Sequence, residues 1–172
     1  MSYALPSRQL SSAELRALTR RYAAEVHEGL HPVQSDPTRR WHVRLHADDD
    51  VDVWLISWTR EQGTELHDHG GSTGAFTVVE GTLAEYVWSG RRADGPGVLT
   101  RQSREAGDTV VFGDRYVHDV RNHDETVAVS VHAYSPPLRR MNYYDAEGGT
   151  LLKWADQWTD DPEAPSPARD AS

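Results

Sequence analysis

GTELHDHGGSTGAFTVVEG, residues 63–81, sets two histidines one residue apart between glycines and follows them with a run rich in Phe, Thr and Val. In an extended chain residues two apart point to the same face, so His67 and His69 can turn both imidazoles toward one ion. Taken alone, such a pair also suits a polar barrel interior or a hairpin surface. A second stretch, GDTVVFGDRYVHDVRN at 107–122, adds Gly107, Gly113, His118 and Asn122 in a similar setting.

Outward from these stretches the chain keeps a period of two. From about residue 41, WHVRL, DVWLISW, GAFTVVEG, LAEYVW, DTVVFG, YVHDVRN and TVAVSVHAY are short runs rich in Val, Trp, Tyr and Thr. Gly, Asp and Asn separate them at hairpin-like intervals, as in RRADGPG and GDRY. Many short strands without helices between them predict a mainly β sandwich or small closed barrel. Ahead of them, SSAELRALTRRYAAEVHEGL (11–30) predicts one amphipathic helix. Ser11 and Glu14 fit a capping box, while Leu15, Leu18, Tyr22 and Val26 form an apolar stripe suited to packing on a sheet. His31-Pro32 is expected to stop it. The end, DQWTDDPEAPSPARDAS, has little to bury and is expected to be disordered. The expected organisation is a tail at 1–10, one domain at 11–158 with its barrel at about 41–145, and a tail at 159–172.

The 172 residues suit one domain with a sizeable core. Eighteen basic against 27 acidic residues leave a formal charge of −9 with no basic block, which argues against nucleic acid or an anionic membrane as partner. No run approaches the roughly 18 apolar residues of a membrane span, and MSYALPSRQLSSAELR lacks the apolar centre of a signal peptide, so a cytoplasmic protein is expected. Cysteine is absent, which excludes disulfides, thiolate metal sites and a cysteine nucleophile. Nine histidines remain as the soft-metal ligand present in quantity. Of these, His27, His31, His46 and His123 fall on the helix or in loops and are expected at the surface, and Asp68 alternates away from the metal face.

The two histidine stretches resemble the paired motifs of the cupin superfamily, which implies a cupin-type β-barrel (jelly roll) with an N-terminal helical segment. The resemblance implies that His67, His69 and His118 meet on one metal. Cupins usually supply a glutamate shortly after the histidine pair, where this chain has Gly74; Glu80, beside Gly81, is expected in a hairpin. Three neutral imidazoles suit iron, zinc, copper or nickel alike. Without a carboxylate the metal keeps its full charge, which favours an anionic ligand such as a thiolate.

A third stretch, TVAVSVHAYSPP, places Ser130, His132 and Tyr134 on one strand face and Val129, Val131 and Ala133 on the other. With the histidine stretches, this run is similar to the cysteine dioxygenase family of thiol dioxygenases, and HDHGGSTGAFTVVEGTLAEY resembles its bacterial branch. The likeness extends over roughly residues 11–145. It implies an Fe(II) enzyme that oxidises the thiol of L-cysteine with O₂ to cysteine sulfinic acid. His67, His69 and His118 match the iron ligands, Tyr134 the tyrosine over the bound substrate, and Ser130 and His132 its hydrogen-bonding relay. It also implies a cis Ser135-Pro136 bond. Arg44 matches an arginine for the substrate carboxylate, with Arg40 and Arg60 as further candidates and His42 in a supporting role. Gly74 stands where mammalian members carry a cysteine joined to the tyrosine, so an uncrosslinked Tyr134 is expected. Met141 matches another position near the pocket. A 3-mercaptopropionate or other small-thiol dioxygenase, and a metal-binding cupin without oxygenase activity, are the alternatives. A monomer acting on a small thiol and O₂ is expected.

Overall fold

A computed structural model of the protein describes residues 8–90, 96–162 and 164–169. The expected tail at 1–10, the RRADGPG hairpin and the tail at 159–172 each lie partly outside those residues.

Helix α1 (Ser12–His27) begins as the sequence predicts: the Ser11 side chain accepts from the Glu14 amide while Glu14 reaches back to the Ser11 amide. It ends earlier than predicted. Gly29, at φ +80°, takes the left-handed conformation that closes a helix, three residues before Pro32. Eleven strands follow: β1 (Trp41–Ala47), β2 (Asp52–Trp58), β3 (His67–Asp68), β4 (Thr73–Glu80), β5 (Thr82–Ser89), β6 (Val98–Glu105), β7 (Thr109–Phe112), β8 (His118–Arg121), β9 (Ala128–Ser135), β10 (Arg140–Glu147) and β11 (Thr150–Trp158).

They form two antiparallel sheets, β1-β2-β9-β4-β7 and β11-β10-β3-β8-β5-β6. Ladder hydrogen bonding does not pass from one sheet into the other among the described residues, so the jelly roll is a sandwich of two sheets rather than a closed barrel. The Ser135-Pro136 bond is cis. No helix among the described residues is long and apolar enough to cross a membrane.

Alternation sorts the side chains of the first sheet. Val53 and Leu55 of β2, Ala75 of β4, and Val129, Val131 and Ala133 of β9 point outward and pack under Leu15, Tyr22, Ala23 and Val26 of α1. Trp54, Ile56, Trp58, Phe76, Phe112 and Tyr134 point inward and meet Leu83, Val120, Met141 and Tyr143 of the second sheet. With both faces covered, β2 and β9 are buried along their whole length. Phe76 is fully buried at the centre of the inner layer. Its replacement by alanine is expected to cost about 3–5 kcal/mol, read as a lower urea midpoint at unchanged slope.

Candidate metal centre

Strand pairing brings the histidines together. β3 and β8 are hydrogen-bonded neighbours with His67 directly opposite His118, and His69 lies one residue past the end of β3. Ring centroids are separated by 4.9 Å (His67–His69), 4.9 Å (His67–His118) and 5.2 Å (His69–His118). One nitrogen from each lies within 4.8 Å of the other two, and all three residues are buried. The turn carrying the pair is held from behind by Asp68, which accepts from the Tyr144 hydroxyl at 2.6 Å, the Asn142 amide at 2.6 Å and the Gly70 backbone at 2.9 Å.

The Nδ1 atoms of the three rings have three different surroundings. His67 Nδ1 bonds the Glu65 carbonyl at 2.7 Å. His118 Nδ1 bonds Glu85 Oε1 at 2.8 Å. His69 Nδ1 is buried with no hydrogen-bond partner among the described residues. Burial, with His118 nearby, pushes His67 down to about 3, and burial beside the other histidines holds His69 well below its ordinary value. These rings are therefore neutral, with a lone pair to offer. Three converging ring nitrogens, with two of the rings oriented by hydrogen bonds from behind, fit a divalent transition metal.

The first sheet supplies the facing wall. Ser130, His132 and Tyr134 of β9 share the inner face, as the alternation predicts. The Trp58 indole N–H donates to Ser130 Oγ at 2.9 Å, and Ser130 Oγ lies 2.8 Å from His132 Nε2. Ser130 thus ties the Trp58 indole to the His132 imidazole through one hydroxyl. His132 stacks on Phe76 at 5.2 Å, and burial, with His118 nearby, pushes it down to about 3. The Tyr134 ring lies 5.0 Å from His69 and 6.5 Å from His132. Gly74 is paired opposite Tyr134, and a Cβ there would sit 2.5 Å from Phe112 Cζ, so Phe112 fills the space a side chain would need.

His42 and Arg44 lie on the inner-facing side of β1 but are engaged elsewhere. Arg44 covers the Trp54 ring at 4.5 Å and bonds Asp160 at 3.0 and 3.3 Å, while His42 pairs with Asp161 at 3.1 Å. Arg60 pairs with Glu125 at the surface. A cavity of about 300 Å³ reaching His67 is lined by Arg40, Met141, Tyr143, Arg121 and Pro162 among others. The segment expected as a disordered tail is thus drawn, in its described part, onto the sheet: Asp160 and Asp161 meet β1, and Arg169 bonds Asp145 and Glu65. Of the remaining histidines, His27 and His123 are exposed, and His31 and His46 are half-buried beside Glu25 and Asp48.

Sequence reasoning missed Trp58, Phe112 and Glu85. Phe112 stacks on His69 at 4.7 Å and on Tyr116 at 5.4 Å. Glu85 is completely buried, and accepts from His118, the Tyr116 hydroxyl at 2.9 Å and Arg104 at 2.7 Å. Burial on its own raises the Glu85 carboxyl, but the bond from His118 and the charge of Arg104 outweigh it and hold the group below its ordinary value. The signal was a lone carboxylate in LAEYVW at an otherwise apolar inward position, between Leu83 and Val87.

A two-sheet jelly roll that gathers three buried histidines on neighbouring strands defines a cupin with a candidate metal site. Among solved structures, this chain is similar to the TT1209 protein from Thermus thermophilus (TM-score 0.51, 16% identity, 60% of this chain and 90% of that one). It is likewise similar to an RmlC-like cupin protein from Desulfovibrio desulfuricans (TM-score 0.50, 20% identity, 63% and 93%). Residues 5–147 match the cysteine dioxygenase type I family, and the chain belongs to that family. The human cysteine dioxygenase type 1 is 25% identical over 101 residues, covering 56% of this chain and 50% of the relative, and the protein of that name from Pongo abelii gives the same figures. The chain spans about half the length of these curated relatives. The chain thus joins membership of that family to a buried cluster of three histidines that could hold a metal ion.

Proposed function

We propose that the metal is Fe(II) and that the reaction is oxidation of L-cysteine by O₂ to cysteine sulfinic acid, carried out by a cytoplasmic monomer. The observation that carries this reading is the three-imidazole cluster with the Tyr134 ring beside it, in a chain of this family. The stoichiometry closes without a reductant: the thiol sulfur gives up four electrons, O₂ accepts four, and both oxygen atoms end on sulfur. His67, His69 and His118 would hold the iron, which supplies a centre where thiolate and O₂ meet and so makes their reaction effectively intramolecular.

The chain's own residues handle placement and protons. The buried wall of Trp58, Phe76 and Phe112 excludes water from the inner layer. Ser130, itself held by Trp58, fixes the imidazole of His132. Tyr134, the next inward residue on β9, donates its hydroxyl to oxygen as negative charge develops there. For the substrate carboxylate, the geometry favours Arg40 over Arg44, because Arg40 lines the cavity that reaches His67 and Arg44 does not. Arginine's planar fork suits a carboxylate bidentately.

The test is an oxygen electrode with Fe(II)-loaded protein and L-cysteine, 3-mercaptopropionate and cysteamine in turn, the product identified by NMR. Stoichiometric O₂ uptake with sulfinate, fastest on cysteine, is expected. Preference for 3-mercaptopropionate would shift the substrate, and no uptake with any thiol would leave a metal-binding cupin without oxygenase activity. Losing a charge-assisted contact costs about 1.5–3 kcal/mol, so Arg40→Gln should lower kcat/KM for cysteine by roughly 10–100-fold. Cysteamine, which has no carboxylate, should be affected little. The same selective loss in Arg44→Gln, with Arg40→Gln near wild type, would return the role to Arg44.

A further inference from the structure

The three histidines are not equivalent as ligands, and the difference lies behind them. His67 leans on a neutral carbonyl, His69 Nδ1 has no hydrogen-bond partner among the described residues, and His118 leans on a carboxylate. That carboxylate belongs to Glu85, which stands on β5 beside β8 with none of its surface exposed. A carboxylate only accepts, so His118 Nδ1 carries the proton and Nε2 is the nitrogen turned to the metal. Glu85 is fixed in turn by two further donors: the Tyr116 hydroxyl shares Oε1 at 2.9 Å, and Arg104 takes Oε2 at 2.7 Å.

We propose that Glu85 is a positioning residue that orients His118 and supplies, one hydrogen bond behind the ligands, the negative charge that the three-imidazole set lacks. The proposal rests on the metal-dependent reading of the histidine cluster. A hydrogen bond to a carboxylate makes an imidazole a stronger donor than one to a carbonyl. His118 is therefore a stronger ligand than His67. Because Tyr116 competes for the same oxygen, it tempers the effect: the more Oε1 gives to the phenol, the less it gives to His118.

The experiment measures Co(II) affinity by competition with a chromophoric chelator, together with the Fe(III)/Fe(II) midpoint potential, on intact protein. Glu85→Gln keeps shape and an acceptor oxygen but removes the charge. It should weaken Co(II) binding by about 10–100-fold and raise the potential, with near-wild-type circular dichroism. Tyr116→Phe frees Oε1 for His118 and should move the potential the opposite way. A merely structural network would weaken binding in both variants and show no such opposition. A folded Glu85→Gln that binds Co(II) within twofold of wild type overturns the proposal. Should Glu85→Gln not fold, an unmoved potential in Tyr116→Phe overturns it alone. Wild-type protein that binds no Co(II) would instead refute the metal reading beneath it.

Discussion

His69→Ala is expected to abolish O₂ uptake and metal-linked stabilisation together. The substitution is informative because His69 Nδ1 makes no hydrogen bond among the described residues, so truncation strips no neighbour of a partner along that side of the ring. A ligand that binds only the folded chain stabilises it by about 4 kcal/mol at a thousand times its dissociation constant. For a chain of this size that is a rise in Tm of roughly 8–16 °C. Wild-type protein titrated with Co(II) should show a rise of this order in differential scanning calorimetry, and His69→Ala should show none. A variant that keeps both the rise and its metal content would remove His69 from the ligand set.

Tyr134→Phe separates chemistry from metal binding. The phenyl ring keeps the packing against His69 and Phe112, at 5.0 and 6.4 Å between centroids, so the cavity wall is unchanged. Only the hydroxyl is lost. Removing one donor aimed at developing negative charge typically costs about 10²–10³ in kcat, and that loss is expected here with full iron content and an unaltered metal-linked Tm. Unchanged kcat at full metal occupancy would sink the role. The wild-type tyrosine should also carry no thioether, seen as a Tyr134 peptide of unmodified mass, since the position opposite it is a glycine packed against Phe112 and the chain has no cysteine.

Much of this arrangement was legible because it is periodic. Alternation along TVAVSVHAY correctly separated Ser130, His132 and Tyr134 from the valines under the helix, and it set His67 and His69 on one side of Asp68. The capping box located the start of α1 to the residue. What the sequence concealed was long-range or only half-buried. RMNYYDAE and its partner β11 carry too many charges to show a clean alternation, because they lie at one side of the second sheet where much of their surface meets solvent. The capture of Arg44 by Asp160 joins residues 116 apart, and no local pattern announces it. The helix stop was misplaced because Pro32 is the louder signal, while Gly29 ended the helix first.

The histidines and the tyrosine belong to different sheets. His67 and His118 stand on hydrogen-bonded neighbours in one, with His69 a single residue beyond, whereas Ser130, His132 and Tyr134 stand on the other. Retention of the ion is thus a property of one sheet, and turnover is a property of the gap between two. A perturbation that lets the sheets slide by a fraction of an ångström, such as pressure, mild heat or an overfilled core, leaves the ion seated but parts it from the phenol. The molecule should therefore fall silent before it comes apart, and its activity should report the spacing of the sandwich more sensitively than its metal content does.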